Sequence, residues 1–141
     1  RDLHAGYVDL AGAFDVRETY APQLTVTNPK SIRSMEKLVG YAMTFIDSPA
    51  DREALFNVGA PYGLELFVNG ESLYKMSNYD FNFHPDQSRV PGRLKKGRNV
   101  VLVKIARGRL PEWNLSPWTG FCVTLTDPQQ RPFNDVVFSF R

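Results

Sequence analysis

Three stretches of this sequence have residue types suited to chemistry. The first, Asn78-Tyr79-Asp80-Phe81-Asn82-Phe83-His84, sets three aromatic rings among amide, carboxylate and imidazole groups. The second runs from Arg107 through Arg109, Glu112, Trp113 and Asn114 to Trp118 and holds both tryptophans of the chain. An exposed ring can take the apolar C–H face of a sugar, while amides and charged groups take its hydroxyls. Asn78, Tyr79, Arg107, Arg109, Glu112, Trp113 and Trp118 are therefore the candidate ligand-binding residues. Trp113 leads the set because polar residues flank it. Trp118 lies close to a strand-like segment and suits the end of a core equally well. Both stretches have a plainer reading, in which the tryptophans plug the core and Tyr79 to Phe83 form a strand. The third stretch is the basic run Arg93, Lys95, Lys96 and Arg98. It could meet an anionic polysaccharide or phosphates. Its plainer reading is a charged edge and turn that discourages aggregation.

Catalytic chemistry finds little support. His4 and His84 are far apart, and neither stands in a metal-ligand spacing. A glycosidase needs two opposed carboxylates. Glu65 and Glu71 flank Asn69-Gly70, and Asp47, Asp51 and Glu53 surround another turn. They read as solvated strand faces and turn chemistry. No phosphate-cradling loop or nucleophile elbow is present. Cys122 is the one cysteine, so no internal disulfide forms, and with two histidines it makes a poor zinc set. The expectation is a non-catalytic chain with no assignable cofactor or metal. A net charge of +2 falls short of a dedicated nucleic-acid binder. The longest apolar run, Val100 to Val103, ends at Lys104, which is too short for a membrane-spanning helix. Neither nucleic acid nor membrane is an expected partner.

The elements that must hold these stretches are strands. Apolar residues recur at period two in short pieces separated by turn residues. Strands are expected at Gly6–Leu10 (running on toward Phe14), Leu38–Asp47, Glu53–Val58, Leu64–Val68, Glu71–Met76, Arg89–Leu94, Asn99–Ala106, Phe121–Thr126 and Val136–Phe140. Asn28-Pro29 could open a short helix or belong to an irregular loop. Asn69-Gly70 between two strands is the strongest turn signal, because a two-residue type I′ turn needs positive φ at both positions. Pro91-Gly92 should break its strand and make it an edge. Eight or nine strands in 141 residues suit a single antiparallel β-sandwich or jelly roll covering residues 1–141. The chain opens on Arg1 and shows no signal-peptide pattern, as expected of an excised or processed piece of a larger protein.

Gly59 to Gly70, reading GAPYGLELFVNG, is similar to the galactose-binding-like β-sandwich modules of bacterial glycoside hydrolases, polysaccharide lyases and related surface enzymes. Phe67 stands where those modules commonly carry tryptophan. Leu94 to Lys104 resembles their strand of leucine, lysine, glycine and asparagine followed by valine and lysine. Gly120 to Asp127 resembles their closing strand. The three stretches span about half of the chain in the right order. The resemblance implies a non-catalytic sugar-binding or spacer module, extracellular, at the cell surface or periplasmic. The implied partners are a polysaccharide or oligosaccharide and the other domains of the parent protein. Some such modules hold structural calcium, but no compact acidic cluster here matches that site.

Overall fold

The computed structural model describes residues 7–9, 38–77, 86–107 and 120–139. Nine strands are formed: β1 (Tyr7–Asp9), β2 (Leu38–Ser48), β3 (Arg52–Gly59), β4 (Gly63–Val68), β5 (Glu71–Met76), β6 (Ser88–Leu94), β7 (Gly97–Arg107), β8 (Gly120–Thr126) and β9 (Val137–Ser139). There is no helix among the described residues. The Asn28-Pro29 expectation, and the extension of the first strand toward Phe14, lie outside the described residues.

The strands make two antiparallel sheets, ordered β1-β8-β3-β6 and β5-β4-β7-β2-β9. Four pairs are nested: β1 with β8, β2 with β7, β3 with β6, and β4 with β5. This is jelly-roll winding, in which an antiparallel ribbon folds over itself into a sandwich. The expected all-β sandwich is the observed architecture. β9 adds a short fifth strand beside β2.

Alternation decides which side chains enter the core. Ala54, Phe56 and Val58 of β3, with Val90 and Leu94 of β6 and Phe121 of β8, face Leu64, Leu66 and Val68 of β4 and Val101, Val103 and Ile105 of β7. Burying each of these side chains larger than alanine contributes roughly 1.5–3 kcal/mol before entropy is counted. In β2 both faces are apolar. The register with β7 sets Ile46 opposite Asn99 and Ala42 opposite Val103, on the inner side. Tyr41, Met43 and Phe45 are thereby turned outward.

The turn signals are realised with a precise backbone requirement at one place. Asn69 has φ +53° and Gly70 φ +86°. Both are positive, as a type I′ turn demands. Pro91-Gly92 departs from expectation, because β6 runs unbroken from Ser88 to Leu94. The strand is an edge, paired only with β3, so the ladder tolerates the donor that proline lacks. Gly92 has its own reason. A Cβ there would lie 2.7 Å from Phe56 Cε2 and 2.8 Å from Leu73 Cδ2. Its absence lets Leu73 of β5 reach across the open side of the sandwich onto Phe56.

One polar residue is sealed inside this framework. Asn99 is fully buried at the start of β7. Its Nδ2 donates to Lys95 O (2.8 Å), Gly97 O (3.1 Å) and Ile46 O (3.2 Å). Its Oδ1 accepts from Lys95 N (2.8 Å) and Asn69 Nδ2 (2.9 Å). Asn69 in turn accepts from Val100 N at Oδ1 and donates its backbone N–H to Val100 O. Two turns and the β2–β7 ladder are thus tied to one side chain.

Candidate functional site

Most of the sequence-derived candidates fall outside the described residues. This holds for Asn78 and Tyr79 in one stretch and for Arg109, Glu112, Trp113 and Trp118 in the other. Arg107 closes β7, where its backbone faces Leu38. The topology does relate the two stretches. β5 ends at Met76 opposite Leu64, and β7 ends beside Gly63, through Ala106. β6 begins with Ser88 opposite Val58, and β8 begins beside the end of β3, with Cys122 opposite Gly59. The strand ends that bound both aromatic stretches therefore lie at one end of the sandwich. The Asn69-Gly70 turn and the Lys95-Lys96 turn lie at the other.

A cleft lies near that second end. It opens between the edge strands β5 and β6, where the two sheets part, and encloses about 690 Å³. Leu55, Val68, Leu73 and Pro91 supply apolar lining; Glu53, Glu71, Arg93 and Lys95 supply charge. The volume is that of an ordinary small-ligand site, in which an apolar floor carries a few polar groups. Gly92 builds the floor by admitting Leu73 onto Phe56. Glu53 and Arg93 are Cα partners across β3 and β6, yet they form no ion pair. Among the described residues the four ion pairs use Arg52, Arg89, Arg98 and Arg131 with Asp135, Asp86, Asp47 and Asp127. The charged groups of the cleft are left uncommitted. Two acceptor groups and two donor groups around an apolar floor can hold a polyhydroxylated ligand without aromatic stacking.

The sequence signalled this site only in part. Arg93 and Lys95 were visible in the basic run, and Glu53 and Glu71 as turn-side carboxylates. Only the pairing of β3 with β6, and the approach of β5, puts them around one cavity. The rest of the run disperses. Arg98 pairs with Asp47 at 3.7 Å and lies over the Phe45 ring at 5.1 Å. Lys96 gives its backbone N–H to Asp51 Oδ1.

A second surface is the outer face of the five-stranded sheet. Val39, Tyr41 and Met43 of β2 are each about half exposed, at 51%, 51% and 54%. Register sets Met43, Leu102 and Phe67 in one row, and Tyr41, Lys104 and Glu65 in the next. Lys104, which interrupts the apolar run in sequence, points outward and rests 6.0 Å from the Tyr41 ring centroid. Glu65 is bonded from Ser72 at 2.9 Å rather than opposed to a second carboxylate.

Cys122 is buried, and burial pushes its thiol up from the ordinary value, so it is a poor nucleophile. Among the described residues no three His, Cys, Asp or Glu side chains converge to hold a metal ion. No protein-family model matches the chain, and no curated protein matches it.

Proposed function

We propose that this chain is a non-catalytic carbohydrate-binding module of the galactose-binding-like kind, and that the cleft between β5 and β6 is its sugar site. The cleft carries the reading. It has ligand size, an apolar floor and four charged side chains free of one another. Glu53 and Glu71 accept from sugar hydroxyls; Arg93 and Lys95 donate to them. Leu55, Leu73 and Pro91 meet the apolar ring faces. The jelly-roll winding agrees with the three stretches that resemble modules of polysaccharide-active enzymes. This reading places the chain outside the cytoplasm, in a parent protein that acts on polysaccharide.

A glycan array of neutral and acidic sugars tests it, using the chain and its Arg93→Ala, Glu53→Ala and Trp113→Ala variants. Binding that is lost in the first two and kept in the third supports the cleft. Binding lost only in Trp113→Ala moves the site to the aromatic end. No binding by the folded chain overturns the reading.

The outer face of the five-stranded sheet favours a second reading, a domain that packs on a neighbour within its parent protein. A row of half-exposed Val39, Tyr41 and Met43 beside Leu102 and Phe67 is the kind of surface that protein contacts bury. Hydroxyl-radical footprinting tests this. Met43 should oxidise more slowly in the parent protein than in the isolated chain, and equal rates would refute the contact.

A further inference from the structure

The chain has eight asparagines, and of these only Asn69 is followed by glycine. Asparagine is a chemically labile residue. Its amide can be lost without an enzyme when the backbone nitrogen of the next residue attacks Cγ and closes a five-membered imide. A side chain on that next residue hinders the attack, so glycine permits it best. Gly70 is exposed, and nothing lies within 4 Å of the position a Cβ would take there. Ring closure and water both have room at this turn.

The folded corner holds the reacting groups back. Asn69 Nδ2, the leaving group, donates to the buried Asn99 Oδ1 at 2.9 Å. Asn69 Oδ1 accepts from Val100 N at 2.9 Å, and the Asn69 backbone N–H donates to Val100 O at 2.8 Å. The side chain is thereby pinned to the start of β7, on a backbone fixed at φ +53° by the turn. Ring closure must bring Cγ onto Gly70 N and give up the amide, so it needs these bonds broken first. Reactivity is set by the sequence and restraint by the fold, and the two meet at one residue.

We propose that Asn69 is a self-modification site whose reaction is gated by opening of the β4–β5 hairpin. In the open state Gly70 N bonds to Cγ and the Cγ–Nδ2 bond breaks. The amide nitrogen leaves as ammonia, taking the proton that Gly70 N gives up. Water then opens the imide. Attack at Cγ leaves aspartate in the ordinary chain; attack at the Asn69 backbone carbonyl leaves isoaspartate, with the chain routed through the side chain. Neither product restores the corner. In aspartate an oxygen replaces the donor that faced Asn99 Oδ1, setting acceptor against acceptor. Isoaspartate puts an extra backbone atom into a two-residue turn. The conversion is thus a lasting record that the corner has opened, and it adds a carboxylate at a residue that lines the cleft. The chemistry needs no sugar, so its failure would leave the cleft reading untouched.

Peptide mass mapping of the intact chain, incubated at mildly alkaline pH, tests the proposal, with isoaspartyl methyltransferase labelling to count isoaspartate. In urea that unfolds the chain, the peptide holding Asn69 should convert ahead of every other asparagine peptide. In the folded chain it should convert more slowly by on the order of a hundredfold, the protection that three hydrogen bonds of ordinary net strength give. That factor should agree within severalfold with the hydrogen-exchange protection of the Asn69 backbone N–H, which reports the same opening. Asn99→Ala removes the acceptor of Nδ2 and, where circular dichroism shows it folded, should speed conversion by about five- to tenfold over folded wild type. The comparison with exchange uses wild type alone, so it decides the matter even where Asn99→Ala does not fold. A folded chain that converts as fast as the unfolded one overturns the gating. So does a protection factor unrelated to the exchange of the Asn69 N–H, or a folded Asn99→Ala that converts no faster than wild type. Conversion of another asparagine ahead of Asn69 in the unfolded chain overturns the site itself.

Discussion

Replacing Asn99 should be among the most destabilising single changes available in this fold. The side chain is fully buried and makes five hydrogen bonds, four of them to backbone atoms of Lys95, Gly97 and Ile46. Asn99→Ala removes them all and leaves a hole the size of an amide. A buried group that loses its partner costs about 1–3 kcal/mol. Solvent near the exposed Lys95 turn can rescue some of the stranded groups. Ile46 O, beside a side chain only 2% exposed, and the Asn69 amide keep the loss. The expected destabilisation is about 3–4 kcal/mol, against a total of about 5–15 kcal/mol for a domain. Urea unfolding followed by circular dichroism measures it. With m of about 1–3 kcal/mol/M the midpoint should fall by more than about 1 M at unchanged slope. Asn99→Asp sharpens the test. A carboxylate there faces three carbonyl oxygens and can only accept, so its folded pKa must rise above the unfolded value near 3.9. Protonation then favours the folded state, and the deficit of Asn99→Asp relative to wild type should shrink as pH falls toward 4. A loss below about 1 kcal/mol in Asn99→Ala, or a pH-independent deficit in Asn99→Asp, would refute the claim that this amide organises the corner.

Three further outcomes follow from the same geometry. Asn69→Gly and Asn69→Ala both lose the side-chain bonds, but glycine adopts φ +53° without a Cβ penalty while alanine keeps the Cβ and lacks the polar group that offsets it; the alanine variant should be less stable than the glycine variant by about 1–2 kcal/mol in urea unfolding. Gly92→Ala drives a methyl group toward Phe56 and Leu73, so it should lose about 1–3 kcal/mol in the same assay and distort the floor of the cleft. Arg52 holds Asp135 through two hydrogen bonds of 2.8 and 2.9 Å, and this keeps the Asp135 carboxyl below its ordinary pKa. A depressed carboxylate stabilises above its unfolded pKa, so wild type should melt above Asp135→Asn near neutral pH; that gap should close as pH falls below about 3.9 and through the folded value.

The parts of the fold legible in the sequence are those written in local chemistry. Asn69-Gly70 announced its hairpin because few residue pairs tolerate positive φ twice. The single apolar face of β3, at Ala54, Phe56 and Val58, showed which way it would turn. β2 could not be read in that way, because Ala42 and Ile46 on one side are as apolar as Tyr41 and Met43 on the other. Its register with β7, set by residues about sixty positions away, makes the choice. Asn99 read merely as the polar start of a strand. Its role needs Asn69 and Ile46, which only the folded chain brings to it. The cleft was least legible of all. Glu53, Glu71, Arg93 and Lys95 each suit a solvated turn or edge when taken singly, and β3, β5 and β6 meet only through the nested winding.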